Sequence, residues 1–327
     1  MRLLLLSLCA VLVAGACSRP GEVVVFHAAS LSPVLSSFGE AYSRRHPGWR
    51  LRLEPSGSLV AARKVSELGG RPDLVMTADD QVLDSMLLPE HAAWVITFAT
   101  NEIVLAHRDH SRHTAEITAD NWPAILLGDD VRLARANPDT APLGYNTLFV
   151  WQLTALLGKG AAPDLEARLR ARVPPENLVP DEGELVSLLG ARAIDYAFVY
   201  RSTALTHHLK FVRLPPEVNL GNPGRDPAYG RARAQVQLDG AGRTLSGSAV
   251  RYGLTVPTQA PHPEAALLLL DELLSDEGQK LFERFGFSPL RPARWRGRGL
   301  PASLRSHAVV EDTGGAMTQP STMEGAP

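Results

Sequence analysis

The chain has 327 residues, 33 basic and 35 acidic side chains and a formal net charge of -2, a balance that leaves no basic footprint for nucleic acid. Its two cysteines, Cys9 and Cys17, lie near the start, so the folded part is expected to have no disulfide and no thiol chemistry. A chain of this length can be stable through its hydrophobic core alone.

Arg2 opens the chain with a positive charge, and Leu3 to Val13 form an apolar stretch too short to span a bilayer. Ala14, Gly15 and Ala16 then precede Cys17, an order that resembles a bacterial lipoprotein signal. Residues 1–16 are expected to be removed and Cys17 to carry the lipid, anchoring the protein at a membrane surface.

Val23 to Phe26 reads as a strand, and Ser32 to Arg45 as a helix with Val34, Leu35, Phe38 and Tyr42 on one face. Leu51 to Leu53 is a second strand, Leu59 to Leu68 a helix and Asp73 to Thr77 a third strand. This order predicts parallel pairing with right-handed crossovers. Ile103 to Ala106, Val131 to Ala136 and Tyr196 to Val199 read as strands of a second unit, with helices over Trp122–Leu127, Leu143–Leu157 and Glu184–Ala191. Tyr252 to Val256 reads as a returning strand and Glu264 to Phe285 as one long helix. The segment Pro215–Gly247, rich in Gly, Pro and Arg, reads as surface connection. The expected architecture is α/β and two-lobed, each lobe a mostly parallel sheet with flanking helices, hinged through two crossing strands, Val95–Leu105 and Tyr252–Pro257. Lobe 1 is expected over residues 22–103 plus 251–308, lobe 2 over 104–250, and a disordered tail over 309–327.

The chemistry gathers at strand-to-helix junctions: His27 to Pro33, Glu54 to Leu59, Asn137 to Gly144, Pro180 to Glu184, and Tyr200-Arg201-Ser202. A helix start leaves unpaired N–H groups and a partial positive end, so an anion fits there without lysine or arginine. Each such serine or proline is also an ordinary helix cap, and the set rather than any one junction points to a ligand. In parallel α/β units these junctions share one edge of the sheet. Hydrogen bonds to a charged group contribute about 1.5–3 kcal/mol each, so a few of them reach the roughly 8 kcal/mol of micromolar affinity. A site made of donors suits a fully deprotonated dianion: molybdate, tungstate or sulfate.

Val24-Val25-Phe26-His27-Ala28-Ala29-Ser30-Leu31, Pro55-Ser56-Gly57-Ser58-Leu59 and Asp73-Leu74-Val75-Met76-Thr77-Ala78-Asp79 resemble segments of periplasmic molybdate-binding proteins. Asn101 to Leu105, Ala136 to Gly144 and Asp195 to Tyr200 continue the likeness in order, over about residues 22–295. It is nearest to the archaeal-type molybdate/tungstate-binding branch. The resemblance implies a type II periplasmic binding-protein fold and an anion held by the hydroxyls of Ser30, Ser56 and Tyr200 and by backbone N–H groups at Leu143 and Glu182. Ser32 and Ser58 remain divided between capping and binding.

That branch adds two carboxylates to the metal; Glu182 stands at one of those positions, but Ala141 occupies the other, so the bound anion is expected to stay tetrahedral. The Glu182 side chain is then expected to turn away from a dianion, leaving its N–H to contribute. The resemblance also implies an ABC permease and its ATPase as partners, a monomer in the periplasm or at the cell surface, a molybdate or tungstate ligand, and no cofactor and no metal beyond the oxyanion's own.

His27 reads as a structural histidine, and His207 with His208 as surface residues without a third metal ligand at suitable spacing. An exported hydrolase is the competing class, and the chain lacks a Gly-x-Ser-x-Gly elbow, a His-Glu-x-x-His pair and a phosphate loop.

Overall fold

The computed structural model describes residues 21–158, 162–238 and 241–311; Cys17, the expected signal segment and the chain beyond Glu311 lie outside them. The first half of one lobe comprises β1 (Gly21–Ala28), α1 (Ser32–Arg45), β2 (Trp49–Ser56), α2 (Ser58–Ser66), β3 (Leu74–Thr77), α3 (Asp80–Met86) and β4 (Trp94–Asn101). The second lobe follows with β5 (Ile103–His107), α4 (Trp122–Leu126), β6 (Arg135–Ala136), α5 (Pro142–Leu157), α6 (Leu165–Arg172), β7 (Leu178–Val179), α7 (Glu182–Gly190) and β8 (Tyr196–Tyr200). It closes with α8 (Arg201–Thr206), β9 (Lys210–Arg213), α9 (Asp226–Tyr229), β10 (Arg233–Leu238) and β11 (Ala241–Ser246). The chain then returns to the first lobe through β12 (Val250–Thr255), α10 (Pro263–Leu274), α11 (Asp276–Arg284), β13 (Ser288–Gly297) and β14 (Ala308–Val310).

β1 is buried on both faces, as a strand covered by helices on either side must be: Val23, Val25 and His27 fall on one face, Phe26 and Ala28 on the other. α1 starts with Pro33 in its first turn and packs Val34, Leu35, Phe38 and Tyr42 inward. β1 pairs in parallel with β2 and with β3, the βαβαβ order read from the sequence. The complete sheet runs β14-β13-β4-β12-β3-β1-β2 and is mixed rather than mostly parallel, because β12 and β13 pair antiparallel with β4. β12 also pairs antiparallel with β3. The second lobe's three-stranded sheet, β8-β5-β9, is antiparallel throughout. β4 and β5, expected as one crossing strand, are separated at Glu102, where the chain passes from one sheet to the other.

Four further expectations change. The helix Glu264–Phe285 is two helices, α10 and α11. Ser275 takes an extended backbone between them, and its Oγ accepts the Gly278 N–H, a helix start inside one continuous apolar pattern. The expected strand Val131–Ala136 shrinks to β6, since side chains occupy the carbonyls a ladder would use: Arg172 donates to Val131 O and Asn177 to Leu133 O. Within Pro215–Gly247, β10 and β11 form a hairpin with Ala234 and Val236 buried between exposed neighbours. At the far end, Val309 and Val310 are not tail but continue β14 in parallel with β13.

Candidate functional site

Four helix starts face one cleft between the lobes. The turn Ala29–Leu31, leading into α1, and the start of α2 come from the first lobe; the starts of α5 and α7 come from the second. The cleft has a volume of about 230 Å³, part of it open to solvent. Ser30, Ser56, Leu143, Glu182 and Tyr200, five positions separated by up to 170 residues, all line it. Small side chains (Ala28, Ala29, Gly57, Ala78, Ala141) bring backbone close, and no lysine or arginine is among the lining residues.

Each lining group has a local cause. Ala141 is the extended residue before α5, Pro142 occupies the first helical position, and Leu143 therefore presents one of the N–H groups that no helix carbonyl reaches. In α7 the Asp181 carboxylate caps the N–H groups of Gly183 and Glu184, which leaves the Glu182 N–H facing outward from the first turn. Ser58, at the first position of α2, is fully buried and its Oγ accepts the Ala78 N–H at 2.9 Å. Ser58 therefore does not cap α2, and it also lines the cleft. Ser32, inside α1, does not line the cleft. The Ser56 hydroxyl makes one long contact, donating to Gly57 O at 3.3 Å. The Tyr200 hydroxyl accepts from Asn146 Nδ2 at 3.3 Å and keeps its proton for another partner.

Glu182 lines the cleft, and its carboxyl is held against β8: Oε1 accepts the Tyr200 N–H at 2.7 Å and Oε2 is buried beside Thr203. Burial pushes its carboxyl up to about 8, with the Asp181 charge adding and the Tyr200 N–H opposing. At neutral pH Glu182 is therefore a neutral acid, and the repulsion expected between it and a dianion is absent. The folding of β8 beside α7 decides this: isolating a carboxylate from water without a cation beside it costs more than keeping its proton.

The lobes touch around the cleft. Tyr145 of α5 donates to Asp79 Oδ2 at 2.6 Å, and Arg63 of α2 donates to Asp139 O at 3.0 Å. Burial, with Asp80 beside it, raises the Asp79 carboxyl to about 6. Gly57 abuts the Thr140 carbonyl so closely that any side chain there would collide with it. His27 lies outside the cleft lining; its Nδ1 bonds Ala28 O at 2.9 Å and burial lowers it to about 4, as fits a structural residue. His207 and His208 are exposed, and among the described residues no group of His, Cys, Asp and Glu could hold a metal ion.

Residues 23–288 match the family model for bacterial extracellular solute-binding proteins. The molybdate/tungstate-binding protein WtpA of Thermococcus kodakarensis is 33% identical over 284 residues, 80% of this chain and 80% of its own. Among solved structures, the sulfate-binding protein SubI from Mycobacterium tuberculosis is similar with a TM-score of 0.61 at 16% identity, over 83% of this chain and 88% of its own. The periplasmic molybdate-binding protein of Azotobacter vinelandii gives 0.58 at 15% identity, over 81% and 98%. At such identities the two structures establish the two-lobed fold and nothing about cargo.

Proposed function

The chain belongs to the bacterial extracellular solute-binding proteins, and on that premise we propose that it captures molybdate or tungstate for an ABC importer, whose permease and ATPase are its partners. The oxyanion is its ligand and not a cofactor. The observation that carries the reading is the convergence of four helix starts, two from each lobe, on a cleft lined without any lysine or arginine. Such a site offers donors in every direction and selects a small, fully deprotonated dianion. The hydroxyls of Ser30, Ser56 and Tyr200 and the N–H groups of Leu143 and Glu182 hold the anion, with the Ser58 hydroxyl as a further donor. Ala141 puts a methyl group where the resembling branch has a carboxylate, and Glu182 is neutral, so the anion stays tetrahedral.

The relatives are solute-binding proteins, and the capture takes place outside the cytoplasm, in the periplasm or at the cell surface. We take Cys17 as the lipid anchor, the chain as a monomer, and its lobes as divided near residues 103 and 250, with the first lobe running on to Val310.

The test is thermal unfolding with molybdate, tungstate, sulfate and phosphate at equal concentration. A ligand specific to the folded state stabilises by about 2.7 kcal/mol at a hundredfold excess over its dissociation constant, a shift of several degrees. A shift with molybdate and tungstate alone supports the reading. A shift with sulfate alone replaces the cargo, and no shift with any of the four refutes capture.

A further inference from the structure

We propose that Tyr252 is a positioning residue of the anion site, which donates its hydroxyl proton to Ser30 Oγ and thereby turns the Ser30 proton into the cleft. The inference rests on the oxyanion reading above. Tyr252 lies on β12, 222 residues from Ser30, and does not itself line the cleft. The two hydroxyl oxygens are 2.9 Å apart, and the distance alone does not say which one donates.

The direction is set further along. Asn101, the last residue of β4, accepts the Glu102 N–H on its Oδ1 at 2.9 Å. That bond orients the amide, so that its Nδ2 is the group donating to Ser202 Oγ at 2.8 Å. Asn101 and Ser202 stand beside the Tyr252 hydroxyl as groups that offer it protons. A row of side chains thus begins at an amide nitrogen, which can only give protons, and ends at a cleft that receives an anion. A hydroxyl has one proton to give. Each hydroxyl of the row satisfies both neighbours when it accepts from the Asn101 side and donates toward the cleft. In the opposite sense Ser30 would present lone pairs to a dianion.

The setting is rigid. Asn101, Ser202, Tyr252 and Ser30 are all more than nine-tenths buried. The Tyr252 ring meets Tyr200 edge-on at 5.8 Å and Phe287 at 5.1 Å, and β12 is paired on both sides. Burial holds the phenol protonated far above its usual range. Ser202 belongs to the second lobe and the other three to the first, so the row also crosses the hinge.

The experiment is a double-mutant cycle read by calorimetric tungstate binding, with the unliganded melting midpoint recorded for each variant. Tyr252→Phe keeps the ring and its edge contacts and removes the donor; it is expected to weaken binding about three- to tenfold, the range of one hydrogen bond. Ser30→Ala weakens binding further, and adding Tyr252→Phe to it costs nothing more, because Tyr252 acts through Ser30. Ser202→Ala gives a smaller loss that also vanishes in the Ser30→Ala background. Wild-type affinity in Tyr252→Phe, or a loss repeated in full on Ser30→Ala, overturns the proposal. Failure of the unmodified chain to bind molybdate or tungstate is a different result: it removes the proposed function first, and this inference with it.

Discussion

Replacing Gly57 with alanine separates closure of the lobes from their folding. Gly57 has φ -63° and ψ 144°, a conformation alanine adopts freely, so the backbone of the first lobe does not object. The added Cβ, however, would stand 2.1 Å from the Thr140 carbonyl oxygen and 3.2 Å from the Ala141 Cβ, both on the second lobe. A carbon and a carbonyl oxygen come no nearer than about 3.3 Å even in a weak C–H···O contact. The lobes must part by about 1 Å at this rim. Hydrogen bonds of ordinary length do not survive such a stretch. Losing two charge-assisted bonds from the second lobe costs about 3–6 kcal/mol, two to four powers of ten in affinity. The free protein gives up no contact inside either lobe, and alanine for glycine in an allowed conformation adds about 0.4–1 kcal/mol of stability. Calorimetric titration with tungstate, beside the melting midpoint without ligand, reads both. Binding within threefold of the unmodified chain would refute the argument that the lobes must meet at Gly57 to hold the anion.

Tyr145→Phe removes the bond to Asp79 across the cleft, and affinity is expected to fall about tenfold at pH 7.5. The deficit should shrink toward pH 5, as Asp79, raised to about 6, takes up its proton; a deficit independent of pH argues against a charged bond. Glu182 keeps its proton to about pH 8 when folded, against an ordinary value of 4.5. Between those values the folded state holds a proton that the unfolded state has released, so stability falls as pH rises through the window. Glu182→Gln should flatten the melting midpoint between pH 5 and 8; superimposable profiles would show that the carboxyl is ionised in the fold. Tyr200→Phe should weaken anion binding by about 1.5–3 kcal/mol, since the hydroxyl has Asn146 as its protein partner and a proton to spare. A lowered melting midpoint with unchanged affinity would make that tyrosine structural.

Much of the fold was legible because its causes are local. The bounds of α1 were read to the residue: Ser32 and Arg45 are its ends and Val34, Leu35, Phe38 and Tyr42 its buried face, all within four turns. The junctions before α2, α5 and α7 were legible for the same reason. The hairpin β10–β11 was obscured by the Gly, Pro and Arg around it, and the break at Ser275 by unbroken apolar spacing, although serine before two acids is a local start signal.

What the sequence determined by itself is most of the elements and the donors at their starts, since strand period, helix period and caps are decided within a few residues. The tertiary structure alone decided which donors share a cleft, that Glu182 sits where it keeps its proton, that Gly57 meets Thr140, and that Tyr252 reaches Ser30. Those are properties of burial and of contacts between residues tens to hundreds apart in the chain, and no local pattern encodes them.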